Sequence, residues 1–301
     1  VELRQLAAFL AVARTGTITA AATELDLAPS SLSEQVRALE RSLHAELFHR
    51  TPTGMRLSDQ GQALLPHARS LLAQAEQARR AVAGQPRRVR VGTLETLAAS
   101  HLPGVLATLA QRRPELAVQV DTMPRTALLA GLAEGELDAV LLLDLGPVLG
   151  GLGFTPPPGR SPLSAARLAF VDLDTVPLAL VAAPGHPARA LGVLTAARVA
   201  AQRLLVTEPG CSFFLALHHL VAAPTDLVPL RSLATMRAWA AEGLGLALLP
   251  EFTVAEDLAA GRLVRLPLHE SPPELCLRLV WPADRENTDP DLKQVLYALT
   301  A

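Results

Sequence analysis

Only two cysteines, Cys211 and Cys276, occur in 301 residues, too few for a disulfide framework or a thiolate metal site. Aromatic residues make up 3% of the chain while half of it is apolar, so a large core must be built from Leu, Ala and Val. The apolar runs, such as Ala139–Leu143, stop far short of the roughly 20 residues that span a membrane. The N-terminus carries no basic segment followed by an apolar stretch and a cleavage site, so the chain is expected to be cytoplasmic. The histidines are scattered, and His218-His219 lack carboxylate company. No metal, cofactor or catalytic set is therefore expected. Cys211 with His218 and His219 does not make a nucleophile, because all three fall on one predicted helix. A redox role for Cys211 stays open.

The length implies two or three domains. Formal net charge is −2, unevenly spread. Residues 1–90 hold 12 basic and 8 acidic groups, a net of +4, and residues 91–301 hold 15 and 21, a net of −6. The first part suits a polyanion better than the second, but the bias is small, and charge alone does not identify DNA as the partner.

The stretch "TITAAATELDLAPSSLSEQVRALE" (17–40) holds two short helical runs separated by a sharp break. Leu3, Leu6, Ala7, Leu10, Ala11 and Ala13 predict a first helix ending near Thr15-Gly16. Thr17 suits the N-cap of a second, over 19–25. Pro29 fits the first turn of a third, where its missing N–H costs nothing, and that helix runs to about Leu43. "FHRTPTGMRLS" (48–58) has the turn chemistry of a hairpin with basic arms. A long helix follows from Asp59 to about Ala83, roughly 36 Å at 1.5 Å per residue. Its apolar stripe, including Leu65, Ala68 and Leu72, is expected to form a self-association seam. "GQPRR" (84–88) marks the domain boundary.

Beyond residue 88, short apolar runs at 89–93, 116–121, 138–143, 178–183, 204–207 and 246–250 alternate with helical stretches. They predict buried parallel strands in βαβ units, with ligands outside the carboxyl ends of the strands. Crossings between two subdomains are expected near 160–165 and 265–268, and "TPPPGRSP" (155–162) reads as a loop. Pattern alone leaves the N-terminal helices as a DNA-reading helix-turn-helix, a dimerisation hairpin or a structural corner.

The spacing of "ELRQLAAFLAVARTGTITAAATELDLAPSSLSEQVRALERSLHAELFHRTPTGMRLSDQGQALL" resembles the N-terminal domain of LysR-type transcriptional regulators, and the resemblance continues more weakly to the C-terminus. It implies an N-terminal all-α winged helix-turn-helix with a long linker helix and a C-terminal α/β two-lobed periplasmic-binding-protein-like domain. The expected limits are 1–58 for the winged helix-turn-helix, 59–85 for the dimerising linker and 86–301 for the effector-binding domain. Within the latter, lobe I is expected over about 86–162 and 267–301, and lobe II over about 163–266.

By matching positions, the resemblance puts Pro29, Ser30 and Ser33 at base edges of double-stranded operator DNA, and Ser31, Arg37, Arg50 and Arg56 at phosphates. Thr53 stands at a wing position that is often Arg. Glu34 stands at a position often basic in the family and near a phosphate, and His44 replaces a helix-ending glycine. In the C-terminal part, Thr93 and Thr96 lie where a strand meets a helix, and Thr207, Cys211, Ser212 and Phe213 repeat that arrangement in "VTEPGCSFF". Met123, Asp144 and Met236 complete the expected effector set. Glu95, Asp144 and Glu208 make the cleft acidic, so an effector with hydroxyl or amine donors weighs equally with an anion. The implied partners are operator DNA, a small-molecule effector, further copies in a dimer or tetramer, and RNA polymerase if the protein activates. The two-lobed domain alone also suits a solute-binding protein, which the N-terminal 85 residues argue against, or an enzyme, for which no convergent acid–base set is seen.

Overall fold

In the computed structural model, which describes residues 1–52, 54–82, 88–153 and 167–300, the N-terminal unit is three helices and a hairpin. Helix α1 (Leu3–Thr15) opens with a reciprocal Glu2–Gln5 capping box and ends at Gly16, whose φ of 74° suits glycine. The Thr17 hydroxyl accepts from the Ala20 N–H at the start of α2 (Ile18–Glu24). Helix α3 (Pro29–Leu43) buries Leu32, Val36 and Leu39 against Leu6, Phe9 and Val12. Strands β1 (Phe48–Thr51) and β2 (Gly54–Leu57) form the antiparallel wing. Phe48 packs on Phe9, and the Met55 N–H donates to the Gly16 carbonyl at 2.7 Å, seating the wing on the first turn. A Cβ on Gly54 would strike that carbonyl, so glycine is required there.

Helix α4 (Asp59–Val82) is continuous despite Pro66 inside it. The expected self-association stripe needs correction. Leu65 and Ala68 are buried within their own chain against the N-terminal core, and Leu72 packs against the same cluster. Leu71 and Val82 stay exposed. The stripe serves intrachain packing first, because α1 covers the first half of α4.

The C-terminal part holds two five-stranded sheets. The first contains β3 (Arg88–Thr93), β4 (Ala117–Thr122), β5 (Ala139–Leu145), β6 (Leu168–Val176) and, from much later in the chain, β12 (Leu275–Pro282), in the order β4-β3-β5-β12-β6. Helices α5 (Glu95–Ser100), α6 (Leu102–Arg112), α7 (Arg125–Ala133) and α12 (Pro290–Thr300) accompany it. The second contains β7 (Leu178–Ala182), β8 (Arg203–Val206), β9 (Asp226–Pro229), β10 (Leu246–Pro250) and β11 (Val264–Arg265), in the order β11-β7-β10-β8-β9. Its helices are α8 (Ala196–Ala200), α9 (Ser212–Leu220), α10 (Leu233–Ala241) and α11 (Glu251–Ala259).

Two expectations change here. The sheets are mixed, since β12 is antiparallel to β5 and β6, and β10 is antiparallel to β7. The first crossing falls at Pro177, between β6 and β7, because β6 pairs with β12 in the first lobe; residues 168–176 therefore belong to lobe I rather than lobe II. The return follows His269, whose N–H still bonds Leu194 in the second lobe, and precedes β12. The expected boundary at 84–87 and the loop at 155–162 lie outside the described residues.

Helix α3 closes without glycine. His44 takes φ 51° and ψ 38°, and the Ala45 N–H reaches the Glu40 carbonyl at 3.1 Å, which completes a left-handed C-cap. A side chain in that conformation costs roughly 1–2 kcal/mol, partly offset by glycine's greater freedom when unfolded. His44→Gly is therefore expected to stabilise the N-terminal unit by about 1 kcal/mol, read as a later midpoint in urea unfolding of its helical signal.

Candidate DNA-reading and effector sites

Helix geometry determines what α3 presents. At about 100° per residue, Ser30, Glu34 and Arg41 fall within roughly 25° of the direction opposite Leu32, Val36 and Leu39. Arg37 lies roughly 45° off that direction and Ser33 roughly 85° off, toward the wing. Pro29, Ser30, Ser31 and Arg37 are exposed and Ser33 is half-buried. Between α3 and the wing runs a groove of about 640 Å³, bordered by Ser33, Arg37, Arg50 and Thr51. Arg50 and Arg56 are exposed and make no salt bridge among the described residues. Thr53 lies outside the described residues.

Glu34, absent from the expected contact set, stands in the middle of the outward row. Its carboxylate accepts from Arg41 at 2.5 Å, and this bond and the guanidinium charge hold its pKa below the ordinary glutamate value. The period of Leu32, Val36 and Leu39 sets it outside, at the position where the resemblance leads one to expect a basic residue.

In the first lobe, Thr93 is fully buried and its hydroxyl donates to the Leu141 carbonyl at 3.0 Å. Thr96 is half-buried in α5, and its carbonyl accepts from the Ser100 hydroxyl. Met123 is half-buried, and its N–H bonds the Thr93 carbonyl across the strand ends.

Asp144 corrects the sequence reading most sharply. It is wholly buried, and both oxygens are occupied: Oδ1 accepts from Arg125 at 3.2 Å and the Leu152 N–H at 3.0 Å, Oδ2 from Arg278 at 3.1 Å and the Gly150 N–H at 2.6 Å. Asp144 is thus a structural anchor, and it adds no negative charge to the cleft. Arg278 also bonds Asp172 and the carbonyls of Gly146 and Val148, while Arg125 bonds the Gly153 carbonyl. Burial pulls the Arg125 pKa below the ordinary arginine value, and Asp144 pulls it back. Both arginines escaped the sequence reading; the one available signal was a charge inside the apolar run "LCLRLVW".

The second lobe meets this anchor directly. Ser212, at the N-terminus of α9, donates to the Leu143 carbonyl of β5 at 2.8 Å. Gly210 lies against the Thr126 side chain of α7. Cys211 and Phe213 are buried in the core cluster that spans both lobes. Burial raises the Cys211 pKa, against bonds from Thr207 and the N–H groups of Phe213 and Phe214. His218 leans on Phe214 and contacts its carbonyl. The Thr207 hydroxyl is buried and finds no partner among the described residues beyond the Cys211 sulfur. Thr207, Cys211, Ser212 and Phe213 are thus brought to the interlobe seam. Met236 is not: it is 1% exposed in a separate core with Ala179, Val181, Leu205 and Leu249, because α10 covers the other face of the second sheet. A second interlobe contact sets the His101 ring edge-on to Phe252 at 5.0 Å.

The first lobe also touches the linker. Arg69 of α4 pairs with Glu134, at the C-terminus of α7, and lies 3.6 Å from Glu136. Helix α7 therefore runs from the Asp144 anchor and the Gly210 contact at one end to the linker helix at the other.

Residues 3–62 match the family described as "Bacterial regulatory helix-turn-helix protein, lysR family", and residues 83–299 match "LysR substrate binding domain". The chain belongs to the LysR family: it is a DNA-binding transcriptional regulator with an effector-binding domain, and its relatives are regulators rather than enzymes. It is 33% identical over 267 residues, 86% of this chain and 80% of the relative, to a "Probable hydrogen peroxide-inducible genes activator" of Mycobacterium avium. Its fold is similar to that of ArgP from Mycobacterium tuberculosis, at TM-score 0.66 and 20% identity over 99% of this chain and 96% of that one. It is also similar to full-length CbnR in complex with its target DNA, at TM-score 0.60 and 20% identity over 99% of each chain. Among the described residues no single helix is long and apolar enough to cross a membrane.

Replacing Asp144 by Asn leaves two buried guanidinium groups facing a neutral amide. Removing one partner of a buried ionic set typically costs about 3–5 kcal/mol. Asp144→Asn is expected to destabilise the effector-binding domain by about that amount in urea unfolding, with the N-terminal unit's own transition unmoved.

Proposed function

We propose that α3 enters the major groove of an operator with Pro29, Ser30 and Ser33 near base edges, while Ser31, Arg37, Arg50 and Arg56 contact phosphates. The observation that carries this reading is that Ser33 and Arg37 on one flank of α3 border a single groove together with Arg50 of the wing. A helix of 15 residues is about 22 Å long, enough to lie across a major groove roughly 12 Å wide. The likeness to CbnR, solved on its target DNA, supports the same docking.

The probe is the intergenic DNA upstream of the protein's own gene, titrated in gel shifts over a range of salt. Ser33→Ala is expected to weaken specific binding by about 1–3 kcal/mol and to leave non-specific binding nearly unchanged. Arg56→Ala is expected to weaken both and to reduce the salt slope by about one unit. A specific-to-non-specific ratio untouched by Ser33→Ala rejects this docking of α3.

Regulation rests on the interlobe seam, where the Thr207 hydroxyl and the N-terminus of α9 await a small polar effector. The effector favours one lobe arrangement by its differential affinity, and α7 carries the change to Arg69 on the linker helix. The exposed Leu71 side of α4 and further effector-domain contacts join copies into a dimer or tetramer. Contact with RNA polymerase would accompany activation, and the chain would work in the cytoplasm.

A double-mutant cycle tests the route without an effector. Ser212→Ala removes the interlobe hydrogen bond and is expected to shift operator affinity at least about fivefold, but not in an Arg69→Gln background. Effects that add to within about 0.5 kcal/mol would reject α7 as the link.

A further inference from the structure

The outward row of α3 contains one acid. Glu34 has a side chain 62% exposed, lies between Ser30 and Arg41 on the face opposite the core, and is one helical turn from Arg37. Among positively charged and hydroxyl neighbours, an acid aimed at a polyanion is repelled unless it meets a hydrogen-bond donor. The major groove offers two base donors, the N4 amino group of cytosine and the N6 amino group of adenine. Adenine sets the N7 acceptor beside N6, which repels a carboxylate oxygen; cytosine sets a C–H beside N4.

Resting on the docking of α3 in the major groove, we propose that Glu34 determines specificity by accepting a hydrogen bond from the N4 amino group of a cytosine in each half-site. Arg41 has two parts in this. It fixes the carboxylate through a 2.5 Å bond to Oε1, leaving Oε2 to face the base, and its charge offsets the acid's repulsion from the phosphates. Ser30, one turn nearer the N-terminus and shorter, leaves room for the longer side chain to reach the groove floor. Glu34 thereby contributes discrimination rather than general affinity, the reverse of a basic residue at the same place.

The test needs neither a known operator nor a known effector. The full-length chain, Glu34→Gln and Glu34→Ala each select from a random double-stranded DNA pool, and the selected motifs are compared position by position. Non-specific binding at low salt checks that the variants, altered at an exposed position, are folded. The wild-type chain is expected to require cytosine at one position of each half-site, with a loss of roughly 5- to 150-fold for other bases. Glu34→Ala is expected to lose that preference alone, with flanking positions retained. Glu34→Gln is expected to move it to adenine, since an amide matches the N6 donor and N7 acceptor together. A cytosine preference that survives in Glu34→Ala, or one motif shared by all three, would overturn the assignment. A wild-type chain that selects no motif would overturn the docking of α3 itself, and the role of Glu34 with it.

Discussion

One buried carboxylate between two buried guanidinium groups holds the regulatory half of this molecule in shape. Asp144 lies near the end of β5, Arg278 comes from β12 and Arg125 opens α7, so one charge cluster ties the middle of the first sheet to its late-arriving strand and to the helix beside it. Buried charge is tolerable only when compensated. Here the remaining guanidinium donors meet Asp172 and the carbonyls of Gly146, Val148 and Gly153. The loop after β5 is thereby folded back over the cluster, and the Gly150 and Leu152 N–H groups complete the carboxylate's shell. Leu143, which accepts from Ser212, lies one residue before the anchor. The interlobe seam is therefore positioned by the same residues that stabilise the first lobe.

The position of α7 follows from that anchor. Its N-terminus is held by Arg125 and touches the second lobe through Thr126 and Gly210; its C-terminus supplies Glu134 to Arg69. Leu128, Leu129 and Leu132 bury the helix in the first-lobe core, which packs it as part of that lobe. Close-packed interiors respond to a push by shifting between discrete arrangements. Movement at the seam thus has a stiff route to the linker helix, and the charge pair at its end offers a contact to make or break.

The N-terminal unit was legible in the sequence because its determinants are local. The period of Leu32, Val36 and Leu39, the Thr17 cap and Pro29 in the first turn each act within a few residues, and the helices stand at the expected places. The two-lobed plan was legible from apolar runs, but β6, β9, β11 and β12 were not read. In β12 the apolar run carries Arg278, whose partner Asp144 lies 134 residues earlier, a separation that no window detects. Among the described residues β6 pairs on one edge only, and partial burial weakens the pattern. Asp144 looked like a ligand-facing acid for the same reason, since its partners are remote in sequence. Met236 failed differently: nearness in sequence to the apolar run at 243–250 says nothing of which sheet face its helix covers. Leu65 and Ala68 failed because an apolar stripe does not say whether its cover belongs to the same chain.

A chain of net charge −2 still has to approach a polyanion, and the disposition of its charges makes that possible. Several acids of the N-terminal unit are occupied within it: Glu24 pairs with Arg14, Glu34 with Arg41, and Glu40 accepts from the Leu47 N–H. Arg37, Arg50 and Arg56 are left exposed on the side of α3 and the wing. Few cations mean a small counterion-release contribution, so one N-terminal unit alone binds weakly. Two tethered units multiply weak contacts through effective concentration, but only when their spacing matches the half-sites. Low intrinsic affinity therefore makes occupancy steeply sensitive to linker geometry, and the Arg69–Glu134 pair is where the effector-binding domain touches the linker helix. A strongly basic reading head would bind in either geometry and leave an effector little to control.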